Sequence, residues 1–275
     1  MNLNLKDKVV VITGGSKGIG FATAQAFLEE GAKIAICARK EEDLKKAYED
    51  LSRLGEVYYE VVDVTNSKQV YDFAEHVHQH YGVLDVWVNN AGNSGYKKGE
   101  EYDDEEIDFI TNLIFKSVVY GCQAAFRYMK QNGGAIVNVA SLGGRCATSG
   151  KASLYGPLKS AVMNLTNTLA GEYAAWNVRV TCVMPGFIAT ERSVKSVGAA
   201  KLQSNIATTI LRRPGRPEEI AKPIVFLASD AASFMTATYV EVSGGRCMTL
   251  NPLFSYEKKE AEERGESISS YEARV

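Results

Sequence analysis

Short apolar runs rich in β-branched residues alternate with longer segments of helical periodicity along most of the chain. Such runs are typical of strands buried on both faces of a parallel sheet, and the amphipathic segments are typical of covering helices. We predict strands at residues 8–13, 33–38, 57–63, 83–89, 135–140, 178–184 and 239–243. We predict helices at residues 21–30, 41–54, 67–81, 103–129 and 217–229, with another that begins near Tyr155. This alternation implies right-handed crossovers and a doubly wound parallel α/β sheet.

A glycine-rich turn joins the first strand to the first helix. The segment reads TGGSKGIG, with Gly14, Gly18 and Gly20 in the spacing G-x-x-x-G-x-G. This spacing differs from the G-x-G-x-x-G of the general dinucleotide fingerprint. Glycines at this point still let backbone N–H groups approach a pyrophosphate, which the helix dipole favours. The turn therefore predicts a phosphate-binding site more strongly than a plain strand-to-helix connection.

The residues after the second strand indicate which cofactor is preferred. An acidic side chain about twenty positions beyond the turn would bind the ribose hydroxyls of NAD, whereas an arginine suits the 2′-phosphate of NADP. Here the strand is followed by Arg39 and Lys40, and the first carboxylate is Glu41. Lys17, inside the turn, can add a second cation near the same phosphate, with solvated surface cations as the alternative. We predict NADP(H) as the cofactor.

A tyrosine and a lysine four positions apart lie in the helix that follows the fifth strand. Tyr155 and Lys159 share one helical face, so the ammonium can favour the phenolate and lower the tyrosine pKa. A tyrosine tuned in this way can exchange a proton with an alcohol or carbonyl oxygen. Taken alone, such a pair is more often a packed Tyr beside a solvated Lys. Two further residues support a chemical role for the pair: Ser141 at the end of the fifth strand, and Asn112 in the interior of a predicted helix. Asparagine is a poor helix former, so its place there needs a reason.

Composition narrows the classes of function. The 275 residues suffice for one large α/β domain, and the net charge of -2 gives no reason to expect nucleic acid or an anionic membrane as a partner. No apolar run is expected to span a membrane. The 5 cysteines lack C-x-x-C spacing, which predicts reduced thiols in a cytoplasmic protein without structural zinc. All 3 histidines lie at residues 76–80, where we expect a solvated helix face and no metal site. Because no histidine is expected near Ser141, a Ser-His-Asp hydrolase is disfavoured.

The sequence of the segment after the sixth strand does not identify a substrate. Residues 191–213 are mixed in character, and we interpret them as a mobile lid over the substrate. Apolar surface for this lid is expected from Phe187, Leu202, Ile206 and Ile210.

The end of the chain is expected to lie outside the main domain. We predict one domain at residues 1–247 and an extension at residues 248–275, with a charged, helix-prone middle at residues 257–264. Two interpretations stay open: the extension is frayed and solvated, or it is an arm that packs Leu253, Phe254 and Tyr256 on a neighbouring subunit.

The ordered set of motifs resembles the short-chain dehydrogenases/reductases. The motifs are TGxxxGIG from Thr13, NNAG at residues 89–92, Asn112, Ser141, Tyr155-x-x-x-Lys159 and Pro185-Gly186. They span roughly residues 5–247 in the contexts typical of that family, and the set is far more specific than any one motif. The resemblance implies a single-domain, Rossmann-like, doubly wound parallel sheet of about seven strands flanked by helices. It also implies a dimer or tetramer built on the helices that contain Asn112 and Tyr155.

The resemblance further implies a role for each matching position. Tyr155 would be the acid/base, Lys159 would lower its pKa and bind the nicotinamide ribose, and Ser141 would orient the substrate oxygen. Asn112 would hold a water that links Lys159 to solvent. The pyrophosphate would contact Gly14, Gly18 and Ile19, the adenine Asp63 and Val64, the adenosine side Asn90, and the carboxamide Ile188 and Thr190. The other implied cofactor contacts are Ser16, Lys17, Arg39, Ala91, Gly92, Pro185 and Gly186.

We expect hydride transfer between NADP(H) and a small-molecule carbonyl or secondary alcohol. A hydroxysteroid or bile acid is the first substrate hypothesis, a 3-oxoacyl thioester the second, and a sugar or polyol the third. A non-catalytic, NADP-binding sensor or scaffold on the same fold is the alternative of a different class. The complete set of Asn112, Ser141, Tyr155 and Lys159 disfavours it, because a binding module needs no acid/base.

Overall fold

Seven parallel strands form one sheet in the order β3-β2-β1-β4-β5-β6-β7. The structure is a computed structural model that describes residues 2–93, 97–147, 152–196, 199–248 and 253–265. The strands are β1 (Val9–Thr13), β2 (Lys33–Ala38), β3 (Val57–Val61), β4 (Val86–Asn89), β5 (Gly134–Val139), β6 (Val178–Pro185) and β7 (Tyr239–Val242). The predicted doubly wound parallel sheet is confirmed.

Helices cover both faces of the sheet. They are α1 (Gly18–Glu29), α2 (Glu41–Leu51), α3 (Ser67–Tyr81), α4 (Asp104–Thr111), α5 (Ser117–Met129), α6 (Tyr155–Tyr173), α7 (Glu191–Ser196), α8 (Ala199–Ala207), α9 (Pro217–Ala228) and α10 (Phe254–Glu263). Alternate residues of each strand point to opposite faces. In β1, Val9 and Val11 join the core that includes Phe73 of α3, whereas Val10 and Ile12 join the core beneath α1, α2 and α9.

Two strands are shorter than predicted, in each case where an aspartate side chain forms hydrogen bonds next to the strand. β4 begins at Val86, later than predicted, because the Asp85 carboxylate accepts hydrogen bonds from Val9 N–H and Lys8. β3 ends at Val61 rather than residue 63, because Asp63 folds back to accept from the N–H and hydroxyl of Thr65. Side-chain to backbone bonds of this kind compete with strand pairing.

The predicted helix at residues 103–129 is divided. A π-helical segment at Asn112–Lys116 separates α4 from α5, and the Ser117 N–H donates five residues back to Asn112 O. The whole of Asp104–Met129 is long and apolar enough to cross a membrane by length and composition alone, as a core helix also can be. Half of the most apolar stretch of this segment is buried. α5 packs on α3 and β4, as a core helix does.

The extension forms a helix, which begins and ends close to the predicted residues. α10 starts at Phe254, and Ala261 on it is buried. Tyr256 lies under the guanidinium of Arg212 from the same chain, 4.8 Å from the ring centroid. Tyr256 thus has a contact within its own chain, and packing of the arm on a neighbouring subunit stays a prediction. The predicted Ser/Glu-rich end, residues 266–275, lies outside the described residues.

Candidate active site

The candidate residues meet at the carboxyl edge of the sheet. Ser141 follows β5, the NNAG turn closes β4, and the glycine-rich turn follows β1. Because β1, β4 and β5 are adjacent and parallel, their carboxyl ends lie side by side. Ligands of doubly wound sheets bind at this edge.

Tyr155 and Lys159 lie in the first turns of α6, on one face. The Lys159 Nζ is 5.9 Å from the centroid of the Tyr155 ring. Lys159 is only 4% exposed, and its Nζ donates to Val139 O at 2.6 Å. The lysine is therefore not the solvated surface residue that an isolated pair would suggest. The last residues of β5 hold its ammonium beside the phenol ring.

Burial changes the charge behaviour of Lys159. Desolvation lowers the pKa of its ammonium from 10.5 to about 8, and the Cys182 thiol opposes this shift only weakly. The group is still mostly protonated at neutral pH, so a positive charge sits in a poorly solvated site. Such a charge acts strongly on a neighbouring phenol because little water screens it.

Ser141 is placed next to the same tyrosine. Its backbone is extended, and its hydroxyl accepts a hydrogen bond from Gly143 N–H at 3.1 Å. An ideal Cβ at Gly143 would lie 3.4 Å from Ser141 Oγ and 3.7 Å from the Tyr155 ring. The Ser141 hydroxyl and the Tyr155 ring therefore both lie beside Gly143, which has no side chain to separate them.

The π segment gives Asn112 its position. This segment contacts α6, the helix of Tyr155 and Lys159. An ideal Cβ at Gly92 would lie 3.5 Å from Ile114 Cδ1 and 3.8 Å from Lys159 Nζ, so the NNAG turn meets both elements. π-Bulges occur frequently at functional sites. No direct hydrogen bond joins Asn112 to Lys159, both of them described residues, and the predicted water between them stays a prediction.

Hydrogen bonds to neighbouring strands hold the glycine-rich turn. Gly14 N–H donates to Cys37 O at 2.8 Å. The Asn90 Nδ2 donates to Thr13 O at 3.0 Å and to Gly14 O at 3.2 Å. The Thr13 hydroxyl accepts from the N–H groups of Asn90 at 3.0 Å and Ala91 at 3.1 Å. Asn90 and Ala91 thus have a structural role in addition to the cofactor contact that was predicted for them.

The backbone of the turn requires glycine at three positions. Gly14 and Gly18 have φ values of +67° and +55°, which favour glycine. An ideal Cβ at Gly20 would lie 2.2 Å from Gly14 O, so no other residue fits there. Ser16 and Ile19 are partly exposed in this turn. Bare N–H groups at the start of α1 suit a pyrophosphate, and the nicotinamide dinucleotide predicted from the sequence fits these residues.

The two predicted phosphate-binding cations have different surroundings. The Lys17 Nζ pairs with Asp43 Oδ1 of α2 at 2.8 Å, and this hydrogen bond raises the lysine pKa. Arg39 is exposed at the end of β2 and makes no ion pair within the described part of the chain. Arg39 is therefore the cation that is available for a 2′-phosphate. Asp63 and the buried Val64 follow the neighbouring β3, and their contact with an adenine stays a prediction.

The residues after β6 form the opposite wall. An ideal Cβ at Gly18 would lie 3.2 Å from Thr190 Cγ2, so the turn and this wall approach closely. Thr190 N–H donates to the hydroxyl of Ser193 at 2.8 Å, at the start of α7. Pro185 and Ile188 are buried, and Gly186 packs on β7, where an ideal Cβ would lie 2.7 Å from the Cα of Ser243.

A cavity of about 210 Å³ lies beside the NNAG turn. Its apolar lining comes from α4 and the residues around it, Tyr102, Phe109, Ile110 and Leu113. Asn93 also lines it, directly after the glycine that adjoins Lys159 Nζ. The cavity therefore lies near the reacting groups without containing them.

Sequence reasoning missed a buried polar network under the site. Asn89 Nδ2 donates to Asn138 Oδ1 at 2.9 Å, and Trp87 Nε1 donates to Asn89 Oδ1 at 2.8 Å. Asn138 Nδ2 in turn donates to the Thr166 hydroxyl at 3.0 Å, which connects β4 and β5 to α6. The signal was an asparagine near the end of each apolar strand, because buried amides need partners.

The three histidines have separate partners. His76 pairs with Glu60 at 3.0 Å, His78 stacks on Tyr128, and His80 lies against Tyr58. Among the described residues, no group of three or more His, Cys, Asp or Glu side chains is placed to hold a metal ion.

Comparisons with known proteins agree with this geometry. A family model described as enoyl-(acyl carrier protein) reductase matches residues 14–246. The chain is 37% identical over 245 residues to a 3-oxoacyl-(acyl-carrier-protein) reductase of Thermotoga maritima, which covers 88% of this chain and 99% of the relative. It is 35% identical over 251 residues to a 3α-hydroxysteroid dehydrogenase of Mediterraneibacter gnavus, covering 89% and 98%. The solved structure of Pseudomonas aeruginosa RhlG in an NADP active-site complex superposes with a TM-score of 0.83 at 29% identity, covering 89% and 98%.

Proposed function

Because the chain belongs to the short-chain dehydrogenase/reductase family, we propose that it interconverts a ketone and a secondary alcohol with NADP(H), using Tyr155 as acid/base. It is an oxidoreductase that acts on CH–OH or carbonyl groups of small molecules with a nicotinamide cofactor. The observation that carries the finer assignment is the buried Lys159 ammonium, 5.9 Å from the Tyr155 ring centroid.

The proposed mechanism divides hydride and proton handling. The bound cofactor supplies or accepts the hydride. In reduction, the Tyr155 hydroxyl donates a proton to the substrate oxygen, while the Ser141 hydroxyl donates a hydrogen bond to the same oxygen. The Lys159 charge stabilises the resulting phenolate. Asn112 lies on the segment that contacts α6, where a water could return a proton to this site. In oxidation the same residues act in reverse.

The preference for NADP(H) is proposed from Arg39. Its exposed guanidinium at the end of β2 is available for a phosphate, whereas Lys17 is already paired with Asp43. Planar guanidinium groups bind phosphate through paired hydrogen bonds. The similarity to RhlG, whose structure holds NADP, supports the same choice.

A ketone or alcohol of the hydroxysteroid or bile-acid type is proposed as substrate. The similarity to a 3α-hydroxysteroid dehydrogenase supports it, as does the largely apolar cavity beside the NNAG turn, which Lys97 and Glu106 also line. A 3-oxoacyl thioester is the second candidate, supported by the equal similarity to 3-oxoacyl reductases. The sugar or polyol hypothesis has no such support among these relatives.

A substrate screen tests this proposal. NADPH oxidation by the purified chain should be fastest with 3-oxo steroids or 3-oxo bile acids, slower with 3-oxoacyl thioesters, and slowest with sugars. Thioesters reduced faster than every steroid would reverse the substrate order. NADPH binding without turnover on any ketone would instead favour the sensor or scaffold.

We propose a cytoplasmic homo-oligomer, a dimer or tetramer, that uses the outer faces of α4, α5 and α6. Phe126 and Tyr173 stack with ring centroids 3.7 Å apart, and the neighbouring Trp176 is 40% exposed. Phe109 on α4 is 46% exposed. Exposed aromatic surface of this extent is typical of subunit contacts. Light scattering of the purified chain gives the number of subunits.

A further inference from the structure

Arg246 carries a charge for which the described residues supply no counter-charge. It follows β7, and its Nη2 donates to Asn205 Oδ1 at 2.7 Å. Its Nε is buried without a hydrogen-bond partner. Within the described part of the chain, Arg246 forms no ion pair. A guanidinium has five donors, and a partly buried charge without an anion is costly. This arginine therefore has unused capacity to bind an anion.

Backbone hydrogen bonds fix Arg246 beneath the lid segment. Leu211 N–H donates to Gly244 O at 3.1 Å, and Cys247 N–H donates to Thr208 O at 3.2 Å. These two bonds align the residues on either side of Arg246 with the chain that leaves α8. Asn205, the partner of Arg246, is 6% exposed on α8 itself. The guanidinium therefore lies between the end of β7 and the lid helix.

The same segment reaches the cofactor side of the cleft. Ser243, three residues before Arg246, packs on Gly186, which was predicted to lie at the cofactor. Arg246 is only partly buried as a whole residue, so a ligand can approach the edge of the guanidinium that Asn205 does not occupy. Because β5, β6 and β7 are adjacent and parallel, Arg246, which follows β7, lies at the same edge of the sheet as Ser141, which follows β5.

Two acidic side chains, one in α9 and one in β7, are paired with cations other than Arg246. Glu219 is bound by both Nη atoms of Arg213, at 2.7 and 2.8 Å. Glu241 of β7 pairs with Arg145 at 2.9 Å. Arg212, on the far side, lies over Tyr256. Neither carboxylate is therefore available as a counter-charge for Arg246, and an anionic group of a ligand can supply one.

We propose that Arg246 binds a carboxylate or phosphate of the substrate, at the end remote from the reacting carbon. The preferred substrate is then an anionic ketone or alcohol, such as a bile acid or a phosphate-bearing thioester, and not a neutral steroid. This inference rests on the proposed oxidoreductase function. If Arg246 served only to tether the lid, its replacement would affect charged and neutral substrates equally.

A matched pair of substrates tests the proposal. NADPH-dependent kcat/KM is measured for 3-oxocholanic acid and its methyl ester, with wild type and Arg246→Met. We expect wild type to prefer the acid, and Arg246→Met to lower kcat/KM for the acid by about 10- to 100-fold, the value of hydrogen bonds to charged groups. The ester should change by less than about 3-fold, since it forms no charge-assisted bond. Arg246→Lys should restore part of the preference for the acid.

Asn205→Leu is the control for a purely structural role, in which Arg246 only ties the end of β7 to α8. It removes the bond to the lid but keeps the charge, so the preference for the acid should persist. A second pair, 3-oxobutanoyl-CoA and the 3-oxobutanoyl thioester of N-acetylcysteamine, replaces the carboxylate with phosphates. A loss confined to the CoA form in Arg246→Met identifies the anion as a phosphate.

Binding measurements separate this proposal from the proposed reaction. Calorimetric affinities of both pairs for the full chain with NADP+ are compared in wild type and Arg246→Met. Absence of turnover, together with an acid-specific or CoA-specific loss of affinity, would reject the reaction and keep the anion site. Equal effects of Arg246→Met on charged and neutral members of both pairs, or binding of neither pair, would overturn the anion site.

Discussion

The two ends of the cleft are built from different kinds of contact. At the cofactor end, the hydrogen bonds are accepted by main-chain carbonyl groups: Gly14 N–H donates to Cys37 O, and the Asn90 side-chain amide donates to two carbonyl oxygens of the turn. Each of these groups lies at the end of a buried parallel strand. Their positions follow from the sheet itself, so the end that would hold a dinucleotide is rigid before any ligand binds.

At the substrate end, single side-chain contacts join the lid segment and the tail to the rest of the chain, in addition to the backbone bonds made by Leu211 and Cys247. Arg246 binds Asn205 of α8, and Arg212 lies over Tyr256 of α10. Such contacts involve few atoms, and loops held in this way open at low free-energy cost. The two relatives compared above match 88–89% of this chain over 98–99% of their own length, so the rest of this chain has no counterpart in them. The comparison predicts that cofactor binding tolerates few changes, whereas substrate choice is easily altered.

The largest effect is expected at Lys159, where the two ends meet. Lys159→Met should lower turnover by at least ~100-fold, because the phenolate loses its cation. The same change should raise the free energy of unfolding at pH 7 by about 1–2 kcal/mol. Removal of the buried charge contributes about 3 kcal/mol at ~1.4 kcal/mol per pKa unit, and the unpaired Val139 O offsets part of it. Urea unfolding of both proteins gives the difference.

The stability gain of Lys159→Met should depend on pH with a defined sign. Below about pH 8, the folded and unfolded states of wild type both keep the Lys159 proton, so the cost of burial is complete. Between about 8 and 10.5 the folded state has lost that proton and the unfolded state has not, so wild-type stability rises relative to the variant. A stability difference between the two proteins that widens over this interval would contradict the assigned burial of the charge.

A smaller effect is expected at the cofactor end. Arg39→Asp should lower the ratio of kcat/KM for NADPH to that for NADH by about 10- to 100-fold, through loss of charge-assisted bonds to the phosphate. Lys17→Ala is the matched comparison, and it should change the ratio by less than about 3-fold, because Asp43 already holds this lysine. Equal use of both cofactors by wild type, or a larger effect from Lys17→Ala, would contradict the proposal that Arg39 binds the 2′-phosphate.

The smallest effect is expected where the tail meets the lid. Tyr256→Ala should raise the KM for the ketone about 2- to 3-fold with kcat/KM for NADPH unchanged, because an exposed cation–π contact is worth about 0.5–1 kcal/mol. Tyr256→Phe keeps the ring over which Arg212 lies and should behave as wild type. A change in NADPH affinity as large as that in the ketone KM would mean that the two ends are not independent.

The sheet and the Tyr155–Lys159 pair could be predicted because their signals are local. Buried β-branched runs mark parallel strands, and a four-residue spacing places two side chains on one helix face. The π segment after Asn112 could not be predicted, because one added residue in a helical turn has no signature in composition. The Lys17–Asp43 and Arg246–Asn205 contacts join residues on separate elements, the latter 41 positions apart, and only the folded chain brings them together.

The most direct test of the central claim is Tyr155→Phe, which removes one hydroxyl group and keeps the ring beside Lys159. NADPH affinity and turnover of the best ketone are measured on one preparation of this variant and of wild type. The proposed mechanism predicts NADPH affinity within about 3-fold of wild type and a loss of turnover of at least ~100-fold, the lower range for loss of a general acid. Turnover at the wild-type rate would contradict the assignment of Tyr155 as the acid/base.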